Sequence, residues 1–417
     1  MKHKNLLCKR AFLSLIVTFI IAAASSFVYT QSAAPREEKL LNGLKLLMFD
    51  APNGDKVTLK VRIHAGSAFD PQGKEGLMRL LASNVFPNPE AKEYFADKLG
   101  GSLDVESNYD YIQISASSKP ENLVAMIETV AGAIVNMESD KEVTAKLKES
   151  QLKRIAELGA DPSYVADKAA AARLLGTFPY GRPGDGTAAS INKIDFADLS
   201  DAKHRFITAD NASVAIAGNF DEALAFKAVR RYFGAWLKAD KLVPSTFRQP
   251  DDPPTGVQMI DFPVADRSEV RFITRGTSRS SNDFAAYEIA AKIIENRLKV
   301  AGHASVSVDS VEHTLPGILV IRFSGVKAES NDAVAKALNA ALTDAEFQSA
   351  KQTVVAELNK EELSDRWLDV DTFRTEQPAK FYSRAANTSL ADVQNVMSRL
   401  QKQPTASVVL SGAKASN

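Results

Sequence analysis

The chain has 417 residues, of which 45% are hydrophobic and 24% are charged. This composition is typical of globular proteins, and the length is sufficient for two domains of ordinary size. Lys and Arg together number 51, as do Asp and Glu, so the formal net charge is zero. A neutral chain has no overall field with which to attract nucleic acid, an anionic membrane surface or acidic substrates.

The first 34 residues differ in character from the rest of the chain. Four Lys and Arg residues within the first ten precede an apolar run at residues 12–24, and small and polar residues follow through Ala34. This pattern predicts a secretory signal peptide over residues 1–34. An uncleaved anchor is the alternative, although a helix over the run would be only about 20 Å long and a bilayer core is about 30 Å thick. The basic flank predicts in both cases that the rest of the chain is exported, to the periplasm or another non-cytoplasmic location.

The only cysteine, Cys8, lies inside this predicted signal peptide. The mature chain therefore has no thiol, which excludes a disulfide, a thiolate metal ligand and a cysteine nucleophile.

The next two hundred residues predict strands and helices in irregular alternation. Residues 57–66 alternate as a strand that ends in glycine, and residues 102–117 have alternating strand character. Helical periodicity and helix-boundary residues mark the segments between and after them. The predicted helices are residues 74–86, 90–99, 140–158 and 164–175, and a last strand is predicted at 212–218.

A segment at residues 244–256 contains four prolines, so it cannot be regular helix or central strand. It predicts a linker over residues 239–257. The domains on either side are then an N-terminal one at 35–238 and a C-terminal one at 258–417.

The two halves share short sequences in the same order, which predicts an internal duplication. The strand ending at Gly66 corresponds to one ending at Gly276, and the strand at 212–218 corresponds to residues 406–412. The tripeptide Ala-Glu-Leu occurs at 156–158 and again at 356–358. Mixed runs of strands and helices predict an α+β fold in which helices cover a mainly antiparallel sheet in each half.

Five segments together resemble the pitrilysin/insulinase family of zinc metallopeptidases, the inverted zincins. The family's fold is two homologous α+β domains, in agreement with the predicted duplication, and the resemblance implies two domains that face each other around a peptide-sized space. The matching segments are LNGLKLL (41–47), HAGSAFDPQGKEGL (64–77), LGGS (99–102), FPYGRP (178–183) with Gly186, and NASVAIAG (211–218).

The family's catalytic motif is H-x-x-E-H, in which two histidines on one helix face bind zinc and the glutamate activates a zinc-bound water. A glutamate from a later helix is the third ligand. The corresponding positions in this chain hold Arg79, Ala82 and Ser83, with Arg154 or Lys153 at the third ligand. None of these side chains can do the chemistry, and no H-x-x-E-H or H-E-x-x-H occurs in the chain. The resemblance therefore implies a degenerate homologue without catalytic residues, zinc or another cofactor.

A non-standard metal site remains open as an alternative. Such a site would use carboxylate and imidazole groups from residues near these helices. The same residues are also consistent with a solvated helix face and with a hydrogen-bonded histidine at the end of a strand. The candidate ligands are His64, Glu75, Glu149 and Glu157.

Two further features of the family bear on peptide binding. Active members add a substrate peptide to an edge strand after a double glycine, which here predicts a peptide groove along Ser102, Leu103, Asp104, Val105 and Glu106. The family's arginine/tyrosine pair in the C-terminal half corresponds to residues 296–307, where Arg297 is present and no tyrosine occurs. Arg297 is accordingly a second candidate for peptide contact or a structural residue at a helix end.

Three functions are consistent with these residues. The first is a non-catalytic subunit that pairs with an active insulinase-family metallopeptidase in the cell envelope and holds peptide. The second is a zinc metalloendopeptidase with a displaced site, and the third is a stand-alone periplasmic peptide-binding or interaction protein. The same reasoning predicts no nucleic-acid partner and membrane contact only through an uncleaved signal segment.

Overall fold

The computed structural model describes residues 34–239, 247–248, 250–262, 268–325 and 331–412. Its strands are short, four to eight residues each. In chain order they are β1 Arg36–Lys39, β2 Lys45–Asp50, β3 Val57–Ile63, β4 Ser102–Ser107, β5 Ile112–Ser118, β6 Ala212–Gly218, β7 Val257–Phe262, β8 Glu269–Arg275, β9 Val306–Val311, β10 Ile318–Ser324 and β11 Thr405–Gly412.

These strands form two sheets with the same internal order. The first sheet has the order β1-β2-β6-β3-β5-β4, and the second has the order β7-β11-β8-β10-β9. Apart from β1, each strand of the first sheet has a counterpart in the second, including one parallel pair, β2 with β6 and β7 with β11. The other pairs are antiparallel. The predicted duplicated α+β fold with mainly antiparallel sheets is therefore confirmed.

Helices surround both sheets. In chain order they are α1 Leu77–Ser83, α2 Glu90–Asp97, α3 Leu123–Val135, α4 Lys141–Gly159, α5 Pro162–Leu175, α6 Ala188–Lys193, α7 Phe196–Phe206, α8 Glu222–Phe233, α9 Phe284–Val300, α10 Asn331–Asn339, α11 Asp344–Leu358, α12 Leu363–Phe373, α13 Pro378–Ala386 and α14 Leu390–Lys402. The repeated Ala-Glu-Leu tripeptide falls near the ends of α4 and α11, as the duplication predicts. In the described residues no helix combines the length and the apolarity that crossing a membrane requires.

The helix predicted at residues 74–86 is shorter than expected. It begins at Leu77 because Gly76 has a φ of 92°, a left-handed conformation that glycine adopts without strain. The carboxylate of Asp70 accepts hydrogen bonds from the backbone N–H groups of Gly76 and Met78, at 2.7 and 2.8 Å. Asp70 therefore caps the start of α1 from outside the helix.

Strand β3 shows how each sheet is buried on both faces. Val57, Leu59, Val61 and Ile63 lie in the core of the N-terminal half. The alternate side chains, among them Arg62, point to the opposite face, as the two-residue period of a strand requires. That face is covered as well, because Arg62 is only 1% exposed.

The cover on that second face is a helix from the other half of the chain. Trp367 and Leu368 of α12 pack on Leu47 and Ala215 of the first sheet. Reciprocally, α5 of the N-terminal half packs on the second sheet in an apolar cluster. Its members are Ala170, Leu174, Leu175, Ile273, Val320, Ala406 and Val408, with Ala68, Phe178 and Tyr180.

Buried ion pairs accompany this helix exchange. The guanidinium of Arg62 donates to Asp369 at 2.6 Å and to Asp365 at 3.0 Å, both on α12. In the second sheet, the fully buried guanidinium of Arg271 donates to Asp167 on α5. In each sheet, one buried arginine thus forms an ion pair with an acidic residue of the helix that comes from the other half of the chain.

The two halves, expected to face each other around a peptide-sized space, pack directly on each other through α5 and α12. Residues from Ala34 onward form one compact unit. The exchanged helices and their ion pairs fill the space between the described parts of the two sheets. An open cleft of about 510 Å³, lined by residues of both halves, lies beside these contacts, and its volume is on the scale of a small-molecule pocket.

Two predictions fall wholly or partly on residues that the structure does not describe. The signal peptide predicted at residues 1–34 lies outside the described residues except for Ala34. The predicted linker at 239–257 is described at 239, 247–248 and 250–257, and β7 begins at Val257. The domain boundaries at 238 and 258 stay predictions.

Candidate functional site

Helix α1 carries the three residues at the motif positions. Arg79 is half-buried, and its Nη1 donates to the backbone O of Ser107 at 3.1 Å, at the end of β4. Ala82 faces the core and is buried. Ser83 is exposed, and its hydroxyl donates to the backbone O of Arg79 one turn earlier, at 3.1 Å.

Arg79 and Arg154 meet at one carboxylate. Arg154 lies on α4, and its Nε donates to Oδ1 of Asp185 at 3.1 Å. The Nε of Arg79 is 3.8 Å from the same oxygen. The hydroxyl of Tyr164 donates to Oδ2 of Asp185 at 3.3 Å. The side chain of Gln151 donates to the backbone O of Asp185 at 2.8 Å. We refer to Arg79, Arg154 and Asp185 as the arginine cluster.

The arginine cluster holds two positive charges and one negative charge. Burial lowers the pKa of Arg79 from its ordinary value, and the positive charge of Arg154 lowers it further. Asp185 opposes both effects, as do Asp104 and Glu106 on β4. The Asp185 carboxylate is thus what allows two guanidinium groups to share this site.

The loop that carries Asp185 approaches α1 through glycines. Gly186 has a φ of 81°, and a Cβ atom there would lie 2.4 Å from the backbone O of Glu75. A Cβ atom on Gly184 would lie 2.8 Å from Oγ of Ser67. Larger residues would push the loop away, so the glycines on either side of Asp185 place its carboxylate beside Arg79. In the sequence, Gly186 stood out only as part of a segment that resembles the family, and nothing singled out Asp185 or Tyr164.

The predicted peptide groove coincides with strand β4 at the edge of the first sheet. Among the described strands β4 pairs only with β5, so its other edge has no strand beside it. Ser102, Asp104 and Glu106 are exposed, Val105 is half-buried and Leu103 is buried. The alternation leaves Ser102, Asp104 and Glu106 exposed on an edge that no described strand covers. Whether peptides bind there stays a prediction.

Arg297 lies apart from these residues. On α9, its guanidinium donates to the carboxylate of Glu346 at 2.8 and 3.1 Å. It also donates to the backbone oxygens of Ala337, Ala340 and Ala341 at the end of α10 and just beyond it. These bonds supply partners for carbonyl groups at a helix end. They favour the structural alternative for Arg297 over peptide contact.

Two family profiles match the chain in consecutive segments. "Insulinase (Peptidase family M16)" matches residues 45–184, and "Peptidase M16 inactive domain" matches residues 193–354. The chain belongs to the M16 (insulinase) peptidase family. The first profile includes α1 and α4, which carry the arginine cluster.

Curated zinc proteases resemble part of this chain. An uncharacterized zinc protease of Rickettsia bellii is 23% identical over 49% of this chain and 50% of its own length. The uncharacterized zinc protease Rv2782c of Mycobacterium tuberculosis is 25% identical over 49% of this chain and 48% of its own length. The matched region thus spans about half the length of these relatives.

Solved structures share the fold over nearly the whole chain. A protease from Helicobacter pylori has a TM-score of 0.82 at 14% identity, covering 91% of this chain and 100% of its own. The peptidase M16 inactive domain from Pseudomonas fluorescens has a TM-score of 0.79 at 18% identity, covering 92% and 99%. Complex III2 from Candida albicans contains a chain with a TM-score of 0.75 at 17% identity, covering 90% and 95%.

The arginine cluster does not fit the zinc ion that active M16 peptidases hold. Zinc in proteins is bound by imidazole, carboxylate or thiolate, and a guanidinium stays protonated and offers no lone pair. At 4 Å and an effective dielectric of 20, each guanidinium would repel a divalent ion by about 8 kcal/mol. In the described part of the chain no three His, Cys, Asp or Glu side chains are grouped as metal ligands.

The four candidate ligands for a displaced site are dispersed in other roles. Both ring nitrogens of His64 have hydroxyl partners, Thr372 at 3.0 Å and Ser213 at 3.1 Å. Glu75 accepts a hydrogen bond from the backbone N–H of Gly73. The remaining two candidates are exposed on α4, and they are Glu149 and Glu157.

The environment of His64 predicts a pH dependence of stability. Burial lowers the pKa of His64 to about 4, with Arg62 and Lys45 acting in the same direction and Asp371 against them. The unfolded chain, with an ordinary histidine pKa near 6.5, binds more protons between pH 4 and 6.5. Stability is therefore lost as the pH falls through that window, by about 2 kcal/mol between pH 7 and pH 5 from this residue.

A His64→Gln variant keeps a polar side chain but cannot take up the proton. We expect it to lack the part of the pH-dependent loss of stability that comes from His64. Urea unfolding of both proteins at pH 7 and pH 5 measures it as the difference between their pH-dependent losses. Equal losses in the two proteins would show that His64 is not held neutral in the folded state.

Proposed function

We propose that this M16 homologue is a non-catalytic subunit that holds peptide and supports an active zinc metallopeptidase of the same family. The observation that carries the proposal is the arginine cluster. Two guanidinium groups and an aspartate stand where an active member needs two zinc ligands. The positive charges of the two guanidinium groups repel a divalent cation. Ala82 stands at the position of the motif glutamate and cannot act as a general base.

The packing of the two halves supports a role in a pair of chains. The described parts of the halves pack directly on each other through α5 and α12, so a chamber for peptide would have to form between this chain and a second one. The chain from Candida albicans Complex III2 has the same fold inside an assembly. An active M16 chain with intact H-x-x-E-H is the partner that this proposal requires.

The predicted signal peptide supports a location in the cell envelope. The basic flank and apolar run within the first 34 residues have the pattern of a secretory signal peptide. The first half of the periplasmic protease PqqL from Escherichia coli has the same fold, with a TM-score of 0.70 at 15% identity, covering 91% of this chain and 93% of its own. A periplasmic partner and periplasmic peptides follow from that location.

A stand-alone peptide-binding protein is the second candidate. The accessible edge of β4 favours it, because strand addition uses main-chain groups and needs no metal. The two candidates differ in whether a partner is required for the chain to have an effect on peptide hydrolysis.

The test is metal content and peptide hydrolysis of the purified exported chain, alone and with an M16 chain that keeps H-x-x-E-H. An adjacent gene is the first place to look for that partner. We expect only trace zinc and no hydrolysis alone, and a several-fold rise in the partner's activity when the two are mixed. The control is a partner whose motif glutamate is replaced by glutamine, which should stay inactive in the mixture.

Other outcomes separate the alternatives. Peptide binding by the chain alone, with no effect on any active M16 chain, would favour the stand-alone binder. One zinc per chain, with hydrolysis that a chelator stops and that survives repurification, would contradict the proposal and favour a displaced metal site.

A further inference from the structure

The arginine cluster has more hydrogen-bond donors than its described neighbours use. Each guanidinium carries five N–H donors. Arg79 donates one hydrogen bond, to Ser107, and Arg154 donates one, to Asp185. No nitrogen of either side chain is among the buried atoms that lack a partner. Arg154 is exposed and Arg79 is half-buried, so unused donors of both guanidinium groups are available to solvent or to a ligand.

The charge of the cluster is incompletely balanced. Asp185 is the one carboxylate that pairs with both guanidinium groups, while Asp104 and Glu106 on β4 act on Arg79 from farther away. The side chains of Arg79 and Arg154 are 23% and 47% exposed. Their mutual repulsion is one of the causes that lower the pKa of Arg79, after burial. A second carboxylate between them would relieve this repulsion and accept the free donors in the forked geometry that arginine favours.

The cluster also adjoins the accessible sheet edge. The bond from Arg79 to the carbonyl of Ser107 ties its guanidinium to the end of β4. A peptide lying along that edge therefore passes within reach of the arginines. We infer that Arg79 and Arg154 bind the carboxylate of a peptide held on β4, at the position where active relatives hold zinc. This inference rests on the peptide-holding function proposed above and specifies its ligand.

The neighbouring charges indicate which carboxylate fits. Asp104 and Glu106 are exposed on β4 itself. Acidic side chains on an added strand would lie opposite or diagonal to them, and like charges in that position are destabilising. The C-terminal carboxylate of the peptide avoids this repulsion when it ends at the arginines. An internal acidic side chain is the other possible source, and the experiment distinguishes the two.

The test uses the exported chain and three fluorescein-labelled peptides of ten residues, built mainly from Thr and Val. One peptide ends in a free carboxylate, the second ends in an amide, and the third ends in an amide and contains one internal glutamate. Fluorescence anisotropy measures their affinities. We expect the free acid to bind about tenfold more tightly than either amide, because charge-assisted hydrogen bonds to arginine are lost in the amides.

Substitutions then assign the effect to the cluster. Arg154→Gln should reduce the affinity of the free acid to that of the amide and leave the amide unchanged. Arg154→Lys, which keeps the charge but not the fork, should retain part of the preference. Lys146→Gln is the matched control, since it removes the same charge from an exposed position of α4, where Lys146 pairs with Glu142, and should have no effect. Thermal unfolding of each variant establishes that it is folded.

The outcomes separate this inference from the function on which it rests. Equal binding of acid and amide, with no effect of Arg154→Gln, would leave peptide holding intact and overturn carboxylate recognition. Failure of all three peptides to bind would overturn both. Tight binding of the glutamate-containing amide would overturn the assignment to the peptide terminus.

Discussion

Replacing Arg79 and Ser83 by histidine and Arg154 by glutamate is expected to give a protein that binds one zinc ion, with a dissociation constant on the order of 1 μM or lower. The first two positions lie four residues apart on α1, so the new imidazoles share one helix face. Arg79 and Arg154 already meet at Asp185, which indicates that their positions face a common point. Three protein ligands are the number that catalytic zinc sites use.

The gain should be large because the charge of the site reverses. The native cluster opposes a divalent cation with two guanidinium groups. The variant would instead place a carboxylate from α4 beside Asp185, and a bound zinc ion would relieve the repulsion between these two acids. Competition with a chromophoric chelator measures the affinity. No gain in hydrolysis is expected, since Ala82 still supplies no general base.

A double variant that keeps Arg79 is the control. With Ser83→His and Arg154→Glu alone, one guanidinium remains beside the metal position and should prevent binding at micromolar zinc. If the double variant binds zinc as tightly as the triple variant, Arg79 does not face the metal position, and the proposed correspondence with the family motif is wrong.

The fold was predictable because its signals are local and repeated. Strand alternation and matched glycines at 66 and 276 predicted equivalent strands, and β3 and β8 do occupy the same place in their sheets. The exchange of α5 and α12 between halves was not predictable from the same signals. An apolar helix face predicts that its residues are buried, but it does not predict which element packs against them.

The burial of charged residues on the strands could not be predicted from the sequence for the same reason. Arg62 alternates with apolar residues in β3, which is the pattern of a solvent-facing position, yet it is buried under Asp365 and Asp369. Its partners are about three hundred residues away along the chain. Only the three-dimensional arrangement brings these charges together.

For the candidate site, spacing within the resemblance identified Arg79 and Arg154 but not the residue between them. Asp185 lies in a loop with no periodicity, and aspartate in a glycine-rich loop is common in turns. The sequence feature that could have pointed to Asp185 is the pair of glycines on either side of it, Gly184 and Gly186, and Gly186 has a positive φ. That feature indicates a close backbone approach but does not say to which element.

The acidic residue that α5 contributes to the second sheet is expected to matter strongly for stability. Asp167 accepts hydrogen bonds from Arg271, whose side chain is 0% exposed, and from Arg322 at 2.8 Å. Asp167→Ala would leave Glu269 as the one acidic partner of Arg271 among the described residues. Breaking a buried pair from one side costs about 3–5 kcal/mol, and because Asp167 is about one-third exposed we expect about 2–3 kcal/mol.

Urea unfolding at pH 7 measures this loss, with Asp201→Ala as the control. Asp201 pairs with Arg205 on the surface of α7, where the side chains are 69% and 48% exposed, so its removal should cost less than about 1 kcal/mol. Because α5 belongs to the N-terminal half and covers the C-terminal sheet, Asp167→Ala should shift one common transition rather than split it. A loss no larger than that of the control would show that α5 does not hold the two halves together through this pair.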